Sequence, residues 1–158
     1  MSRPKRLKGF TYEGYASYFL TFCVRARRCA FVRPVVVEAT LAQFRLAASD
    51  EQFALLAYCF MPDHAHLLIE GLAQTSSLQR FAQAAKRRSG SVYARRGDGA
   101  LWQEGYYERV LRSSEDAKRI ARYILENPVR ARLVASPSEY AFLGSDVWRI
   151  SDLLGSID

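Results

Sequence analysis

Residues 53–71 read FALLAYCFMPDHAHLLIEG, and they indicate the centre of a β-sheet. Two apolar runs, 53–61 and 64–71, are separated only by Pro62-Asp63. Each run has the length and the aliphatic and aromatic content of a strand, and the proline-containing link predicts a turn between them. Consecutive strands joined by so short a turn pair as a hairpin, so the sequence predicts an antiparallel sheet.

The segments on either side of the hairpin complete an α+β pattern. Apolar spacing and turn residues predict a strand over 17–24, a helix over 34–48, a helix over 76–88, a loop over 89–100, a strand over 106–111 and a helix over 114–127. The resulting order, β-α-β-β-α-β-α, is that of a ferredoxin-like split βαβ fold. We therefore expect an antiparallel sheet with helices on one face and an added C-terminal helix.

Length and charge narrow the class of protein. The 158 residues suit a single domain spanning 1–158, with a basic arm over 1–10 and a tail over 136–158 whose packing the sequence does not predict. Lys and Arg number 23 against 16 Asp and Glu, a formal net charge of +7. Nucleic acid is the usual partner of so basic a domain, and an acidic membrane surface is the second.

Other sequence features argue against a membrane-spanning, a secreted or a disulfide-rich protein. No apolar run reaches the ~20 residues of a membrane span, and no signal peptide is evident, so we expect a soluble cytoplasmic protein. Nothing indicates a small-molecule substrate. Three scattered cysteines do not form a disulfide framework, and Cys23 and Cys59 lie in strand-like runs where a thiol acts as a small hydrophobe.

The chain has only two histidines, and they form the sequence His64-Ala65-His66. On a strand, residues two apart share a face at roughly 6–7 Å, so both imidazoles can reach one metal. Ala65, Leu67 and Ile69 share the opposite face and are expected in the core. Taken alone, this pattern fits a metal site no better than two incidental polar residues at a strand start.

The helix predicted over 114–127 has a recognisable start and one apolar face. Ser113 or Ser114 is expected to cap it, with Glu115 and Asp116 in the first turn. Its apolar stripe consists of Ala117, Ile120, Ala121, Ile124 and Leu125.

Tyr123 projects about 130° from the centre of that stripe, unlike a core residue. Asn127 lies one turn further on and nearly on the same side, as does Asp116, and Pro128 helps to end the helix. The geometry alone permits two interpretations of Tyr123 and Asn127: a surface tyrosine with an asparagine cap, or a functional pair.

Two segments resemble known motifs. AYCFMPDHAHLLIEG, residues 57–71, resembles the HUH signature of single-tyrosine transposases, and LWQEGYYERVLRSSEDAKRIARYILENPVRARLV, residues 101–134, is similar to the second hallmark of REP-associated tyrosine transposases. The resemblance spans most of residues 10–147. It implies a nuclease and strand transferase for single-stranded DNA, acting as a monomer on hairpins of the repetitive extragenic (REP) type.

The resemblance also implies roles for particular residues. Tyr123 would be the nucleophile that forms a 5′-phosphotyrosine, and His64, His66 and Asn127 would be metal ligands. Asn127 departs from the glutamine that insertion-sequence relatives often carry. Phosphate and amide ligands favour Mg²⁺ or Mn²⁺, although two imidazoles would also accept Zn²⁺.

Basic and aromatic residues could complete a DNA interface. Basic side chains in the arm, the first turn, the second helix and the loop after it could follow a DNA backbone: Arg3, Lys5, Arg6, Lys8, Arg27, Arg28, Lys86, Arg87, Arg88, Arg95 and Arg96. Tyr93 and Trp102 are expected to be exposed and to stack on unpaired bases.

Three other functions compete with this hypothesis. A non-catalytic DNA-hairpin-binding protein would have the same basic surface, but it would not need two histidines, a tyrosine and an asparagine in this arrangement. An RNA-binding domain of ferredoxin-like fold would carry paired aromatic strand motifs, which this sequence lacks. A replication or conjugation HUH nickase usually has a larger chain and often paired tyrosines.

Overall fold

The structure is a computed structural model that describes residues 7–112 and 116–155. Its strands are β1 (Ser17–Cys23), β2 (Phe53–Met61), β3 (His64–Gly71), β4 (Tyr107–Val110) and β5 (Leu143–Gly144). Its helices are α1 (Pro34–Glu51), α2 (Leu78–Arg95), α3 (Ala117–Leu125), α4 (Asn127–Arg130) and α5 (Ile150–Leu154). Single 3₁₀ turns lie at Arg25–Arg27, Ala30–Val32 and Pro137–Glu139.

The strands form one sheet in the order β4-β1-β3-β2-β5. β3 pairs antiparallel with both β1 and β2, and β1 pairs antiparallel with β4. The predicted hairpin is confirmed with both of its strand boundaries, because Pro62 and Asp63 form the turn between β2 and β3. The first four strands have the order expected of the ferredoxin-like split βαβ fold, so this prediction is confirmed.

Helices cover both faces of the sheet. Ala65, Leu67 and Ile69 belong to the core beneath α1 and α2, as their predicted face required. On the opposite face, Cys59 and Leu68 pack with α3 and α5 in a second core. Strand β2 is buried on both faces, so neither face is exposed to water. This explains why residues 53–61 are almost continuously apolar.

Helix α2 is longer than predicted, and the expected loop over 89–100 is wrong for residues 89–95. Ser89 and Gly90 suggested a loop, but Ser89 is buried and its hydroxyl donates to the Ala85 carbonyl at 2.6 Å. Tyr93, one turn further on, is also buried in the core. Tertiary packing of this turn outweighs the weak helix propensity of serine and glycine.

The helix predicted over 114–127 is two helices. Ser113 and Ser114 lie outside the described residues, and Asp116, expected in the first turn, is the N-cap whose carboxylate accepts from the Lys118 amide at 2.9 Å. Helix α3 ends at Leu125, and Asn127 opens the separate short helix α4. Pro128 has no amide hydrogen to donate within a continuous α-helix, but proline is tolerated in the first turn of a helix. A new helix therefore begins here.

The tail over 136–158 packs where it is described. Residues 143–144 add β5 to the edge of β2, and Leu153 of α5 is buried in the second core. At the other end, Arg3, Lys5 and Arg6 of the basic arm lie outside the described residues, while Phe10 packs against the first core. No helix in residues 7–112 and 116–155 is long and apolar enough to cross a membrane.

Candidate active site

The two histidines project from β3 towards the face covered by α3. The strand register places Thr21 of β1 opposite His66 and Cys23 opposite His64. Both imidazoles are half-buried, and their Nε2 atoms lie 3.2 Å apart. Two nitrogens at this distance can share a proton or a cation, so the strand geometry brings the pair together as its spacing predicts.

Each imidazole is held through its other nitrogen. His64 Nδ1 donates to Asp63 Oδ1 at 2.7 Å, and His66 Nδ1 lies 2.9 Å from the Thr21 hydroxyl. Arg27 Nε in turn donates to Asp63 Oδ2 at 2.9 Å. The Asp63 carboxylate fixes the tautomer of His64, and in both rings the Nδ1 contact leaves Nε2 for a ligand, an arrangement typical of histidines that bind metals.

Electrostatics keeps His66 suited to ligation. Burial above all, with the charges of His64 and Arg130, lowers the pKa of His66 to about 3, so its ring is neutral at physiological pH. Partial burial acts to raise the pKa of Asp63, but hydrogen bonds from His64 and Arg27 hold that pKa below its usual value. A neutral imidazole is the form that binds a metal.

The donor set fits a divalent cation. Bonds of about 2.1 Å from both Nε2 atoms would meet at an angle of about 100°, which lies between tetrahedral and octahedral values. Within residues 7–112 and 116–155, no group of three His, Cys, Asp or Glu side chains is placed to hold a metal. Within this part of the chain, further ligands would be amide, water or substrate oxygens.

Tyr123 lies on the same face of the sheet and is 54% exposed, as its position off the apolar stripe predicts. Its ring centroid is 6.4 Å from that of Phe19, and Phe19 is 5.4 Å from the His66 ring. Phe19 thus contacts both halves of the candidate site. Asn127 is half-buried in α4, so the single-helix periodicity that related it to Tyr123 does not apply.

Arg130 of α4 packs on Tyr123. Its guanidinium carbon lies 3.8 Å from the centroid of the Tyr123 ring, and Arg130 Nη2 donates to the Tyr123 carbonyl at 2.6 Å. Its charge also lowers the pKa of His66. The nucleophile candidate, the histidine pair and an arginine therefore form one cluster.

Two adjoining cavities open beside this cluster. The larger, about 500 Å³, lies between the sheet and α3 and is lined largely by apolar groups, including Phe19, Tyr107, Ile120 and Tyr123. The smaller, about 330 Å³, is lined by Thr21, Cys23 and the loop before β4. Thr21 and Tyr107 line both cavities, so an extended ligand could pass from Tyr123 to the histidine side of the sheet.

Several basic residues predicted to follow DNA have partners within the protein. Arg27 pairs with Asp63, and Arg88 pairs with Asp50. Arg28 donates to the carbonyls of Asp98 and Ala100, Lys86 donates to those of Gln103 and Gly105, and Arg95 donates to Ser91. Lys8, Arg87 and Arg96 are exposed. The internal partners of Arg28 and Lys86 brace the segment that leads into β4.

The expectation that Tyr93 and Trp102 stack on bases is wrong. Tyr93 is 6% exposed, and Trp102 is partly buried against the first core, where its Nε1 donates to Ser89 at 2.9 Å. Both were placed in or beside a predicted loop, where aromatic residues would be exposed. Because helix α2 continues to Arg95, they pack inward instead.

Three residues of the site were missed in the sequence: Thr21, Asp63 and Arg130. Asp63 directly precedes the histidine pair, a signal that was available. Arg130 follows Tyr123 by seven residues, but the break between α3 and α4 lies between them, so helical spacing did not reveal their contact. Thr21 carried no such signal, because only the register of β1 against β3 places it opposite His66.

Comparisons of the sequence identify several similar proteins. Residues 14–127 match the family model of IS200-like transposases. An uncharacterised protein of Haemophilus influenzae is 23% identical over 158 residues, covering 80% of this chain and 88% of its own length. A second H. influenzae protein, described as a candidate REP-associated tyrosine transposase, is 23% identical over 135 residues, covering 78% of this chain and 74% of its own length.

One solved structure is similar over most of the chain. It is a REP-associated tyrosine transposase bound to a REP hairpin, with a TM-score of 0.74 and 21% sequence identity. The match covers 90% of this chain and 82% of that one. At this level of identity the similarity shows a shared fold.

Proposed function

The chain belongs to the family of IS200-like transposases, and we propose that it is a metal-dependent endonuclease and strand transferase for single-stranded DNA. In this proposal it is a REP-associated enzyme that uses Tyr123 as its nucleophile. One observation carries the proposal: Tyr123 and the His64–His66 pair lie on one face of the sheet, and Phe19 contacts both Tyr123 and His66.

The chain's own residues would perform the covalent step. The Tyr123 hydroxyl oxygen attacks the phosphorus of a phosphodiester, forming a 5′-phosphotyrosine as the bond to the 3′ oxygen breaks. The phenolic proton leaves to solvent or a bound base, and the 3′ oxygen gains a proton to become a free hydroxyl. Because one ester replaces another, a second 3′-hydroxyl can reverse the step and join strands.

His64 and His66 would hold a divalent cation, Mg²⁺ or Mn²⁺, with Asn127 proposed as the third ligand. The cation would supply charge neutralisation at the phosphate oxygens. Asp63 and Thr21 keep the imidazoles oriented, and the neutral state of His66 leaves its nitrogen able to bind. The cavity beside Tyr123 offers space for a nucleotide next to the scissile phosphate.

We propose a DNA hairpin as the substrate and a monomer as the active form. The solved relative of the same fold is bound to a REP hairpin. The net charge of +7 suits a phosphate backbone. A single chain carries both Tyr123 and the histidine pair on one face, so the site does not need residues from a second copy.

The test is cleavage of labelled single-stranded hairpin DNA from the flanks of the gene, with and without Mg²⁺ or Mn²⁺. Wild type would be compared with Tyr123→Phe and His64→Ala on denaturing gels that resolve protein–DNA adducts. Tyr15→Phe is the matched control, because Tyr15 is 64% exposed and is not among the site residues.

We expect a metal-dependent adduct in wild type and Tyr15→Phe that is absent from the other two variants. An adduct that persists in Tyr123→Phe would show that another tyrosine reacts. Hairpin binding by wild type without any cleavage would favour the alternative, a non-catalytic hairpin-binding protein derived from such a transposase.

A further inference from the structure

We propose that Arg130 is a positioning residue for Tyr123, holding the phenol ring in its reactive orientation by planar stacking. The proposal rests on the proposed function, since it assumes that Tyr123 is the nucleophile. Arg130 is not among the residues to which the family resemblance assigns a role, and the proposal is carried by the contacts of α4 with α3.

Three contacts fix the Arg130 side chain against the turn that bears Tyr123. Its guanidinium lies over the Tyr123 ring at 3.8 Å from the centroid. One guanidinium nitrogen donates to the Tyr123 carbonyl at 2.6 Å, and another lies 3.9 Å from a carboxylate oxygen of Glu126. An arginine held by a backbone carbonyl and a carboxylate offers a fixed plane, on which an aromatic ring can rest.

The restriction matters because Tyr123 is 54% exposed. An exposed side chain at the end of a helix would otherwise move among several rotamers. A nucleophile that reacts must stay within about 3–3.5 Å of its target atom, and a displacement of ~1 Å can cost a hundredfold in rate. Stacking on Arg130 would keep the ring close to its reacting position before the substrate arrives.

The break between α3 and α4 has a role in this arrangement. The α3 helix ends at Leu125, and the second helix begins at Asn127, two residues beyond that end. Arg130 is the last residue of α4, and its guanidinium lies over the Tyr123 ring of α3. A planar guanidinium is required, because an ammonium group is a point charge without a stacking plane.

Arg122 supplies a matched control within the same short segment. It donates to the Glu126 carboxylate at 3.0 Å, so it shares a carboxylate partner with Arg130. Arg122→Ala removes a basic side chain and an ion pair from α3, and the stacked guanidinium remains. A general loss of helix stability or of positive charge would affect both variants.

The experiment combines single-turnover cleavage with NMR of the Tyr123 ring. Arg130→Ala, Arg130→Lys and Arg122→Ala would be compared with wild type in hairpin affinity, adduct formation rate and ring order parameters from ¹³C-labelled tyrosine. The Tyr123 signal would be assigned from its loss in Tyr123→Phe, and thermal melting would verify that each variant is folded.

Both Arg130 variants should form adduct about tenfold to a hundredfold more slowly at saturating DNA, with hairpin affinity unchanged within about twofold. The Tyr123 ring should become more mobile in both, and Arg122→Ala should match wild type. Full rescue by lysine would overturn the stacking role, as would a ring equally ordered in Arg130→Ala.

The two readouts separate the failure of this proposal from failure of the proposed function. If wild type forms no adduct, the nuclease assignment fails, but the NMR measurement still decides whether Arg130 orders the ring. If wild type forms adduct and Arg130→Ala forms it equally fast, Tyr123 is the nucleophile and Arg130 does not position it.

Discussion

Among individual side chains, the buried Tyr18 and the half-buried Tyr140 differ in whether the hydroxyl has a partner. Tyr140 donates to the Phe60 carbonyl across the packed tail. The Tyr18 hydroxyl is fully buried and has no hydrogen-bond partner among residues 7–112 and 116–155. A buried donor without a partner loses its hydration and gains nothing in return, so the two hydroxyls should have opposite effects on stability.

Replacing each tyrosine by phenylalanine should therefore change the free energy of unfolding in opposite directions. Tyr18→Phe should raise it by about 1 kcal/mol, and Tyr140→Phe should lower it by about 1–2 kcal/mol. Urea denaturation followed by circular dichroism at neutral pH measures both changes. A clear loss of stability in Tyr18→Phe would mean that an ordered water satisfies this hydroxyl.

The same hydroxyls predict how stability depends on alkaline pH. Burial raises the pKa of Tyr18 and of Tyr140 from 10.0 to about 12, helped by Glu108 for Tyr18 and by Cys59 for Tyr140. Above pH ~10 the unfolded chain loses protons that the folded chain retains. The stability of the folded chain is therefore highest below that pH and is lost as the pH rises towards 12.

Unfolding measured between pH 8 and pH 11 should show this decline in wild type. The decline should be less steep in either phenylalanine variant, because one titrating group has been removed. Burial also raises the pKa of Cys59 from 9.0 to about 12, so part of the slope should remain in both variants. A wild-type protein of equal stability at pH 8 and pH 11 would contradict the raised pKa values of Tyr18 and Tyr140.

At the scale of elements, the packing of helix α3 determines the direction in which Tyr123 projects. One face of α3 is buried through Ile120, Ala121, Ile124 and Leu125, and this fixes the rotation of the helix about its axis. Asp116 begins the helix by accepting from the Lys118 amide. An element of nine residues has few internal hydrogen bonds, so its cap and its packing largely decide whether it forms.

Removal of the cap should thus weaken both the fold and the site. Asp116→Ala should lower the free energy of unfolding by about 1 kcal/mol, whereas Asp116→Asn should stay within a few tenths, since asparagine caps equally well. Urea denaturation of the two variants makes the comparison. Equal losses in both would show that the charge of Asp116 stabilises the helix and that its hydrogen bond does not.

At the scale of the whole molecule, only part of the positive charge behind the net +7 is available to an external anion. Arg27, Arg45 and Arg88 each pair with an aspartate of the chain. Exposed residues such as Arg87 and Arg96 remain for an external anion. The charge of the molecule therefore overstates the number of phosphates that it can neutralise.

Hairpin affinity should fall steeply with salt, and Arg87→Ala should reduce the slope of log K against log salt by about 0.7–0.9, the contribution of one phosphate contact. Arg45→Ala is the control, because Asp146 holds Arg45 with contacts of 2.8 to 3.2 Å. Fluorescence anisotropy across a salt series provides the slopes. An unchanged slope in Arg87→Ala would remove this residue from the DNA interface.

The fold and part of the site could be predicted from local patterns. Strand alternation placed the histidines on one face and Ala65, Leu67 and Ile69 on the other, because neighbouring side chains of a strand point to opposite sides whatever surrounds them. Helical spacing likewise placed Tyr123 outside the core. The prediction failed at residues 89–95, where buried Ser89 and Tyr93 extend the helix beyond its propensity.

The order of the elements, the antiparallel hairpin and the exposure of Tyr123 follow from the sequence, since each depends on patterns of residues that are local in the chain. Three contacts follow only from the packing of the whole chain: Thr21 meets His66, Trp102 is turned inward and Arg130 covers Tyr123. Those contacts join different elements. They depend on strand register, on packing against a shared core and on where one helix stops and the next begins, and no local pattern of residues encodes them.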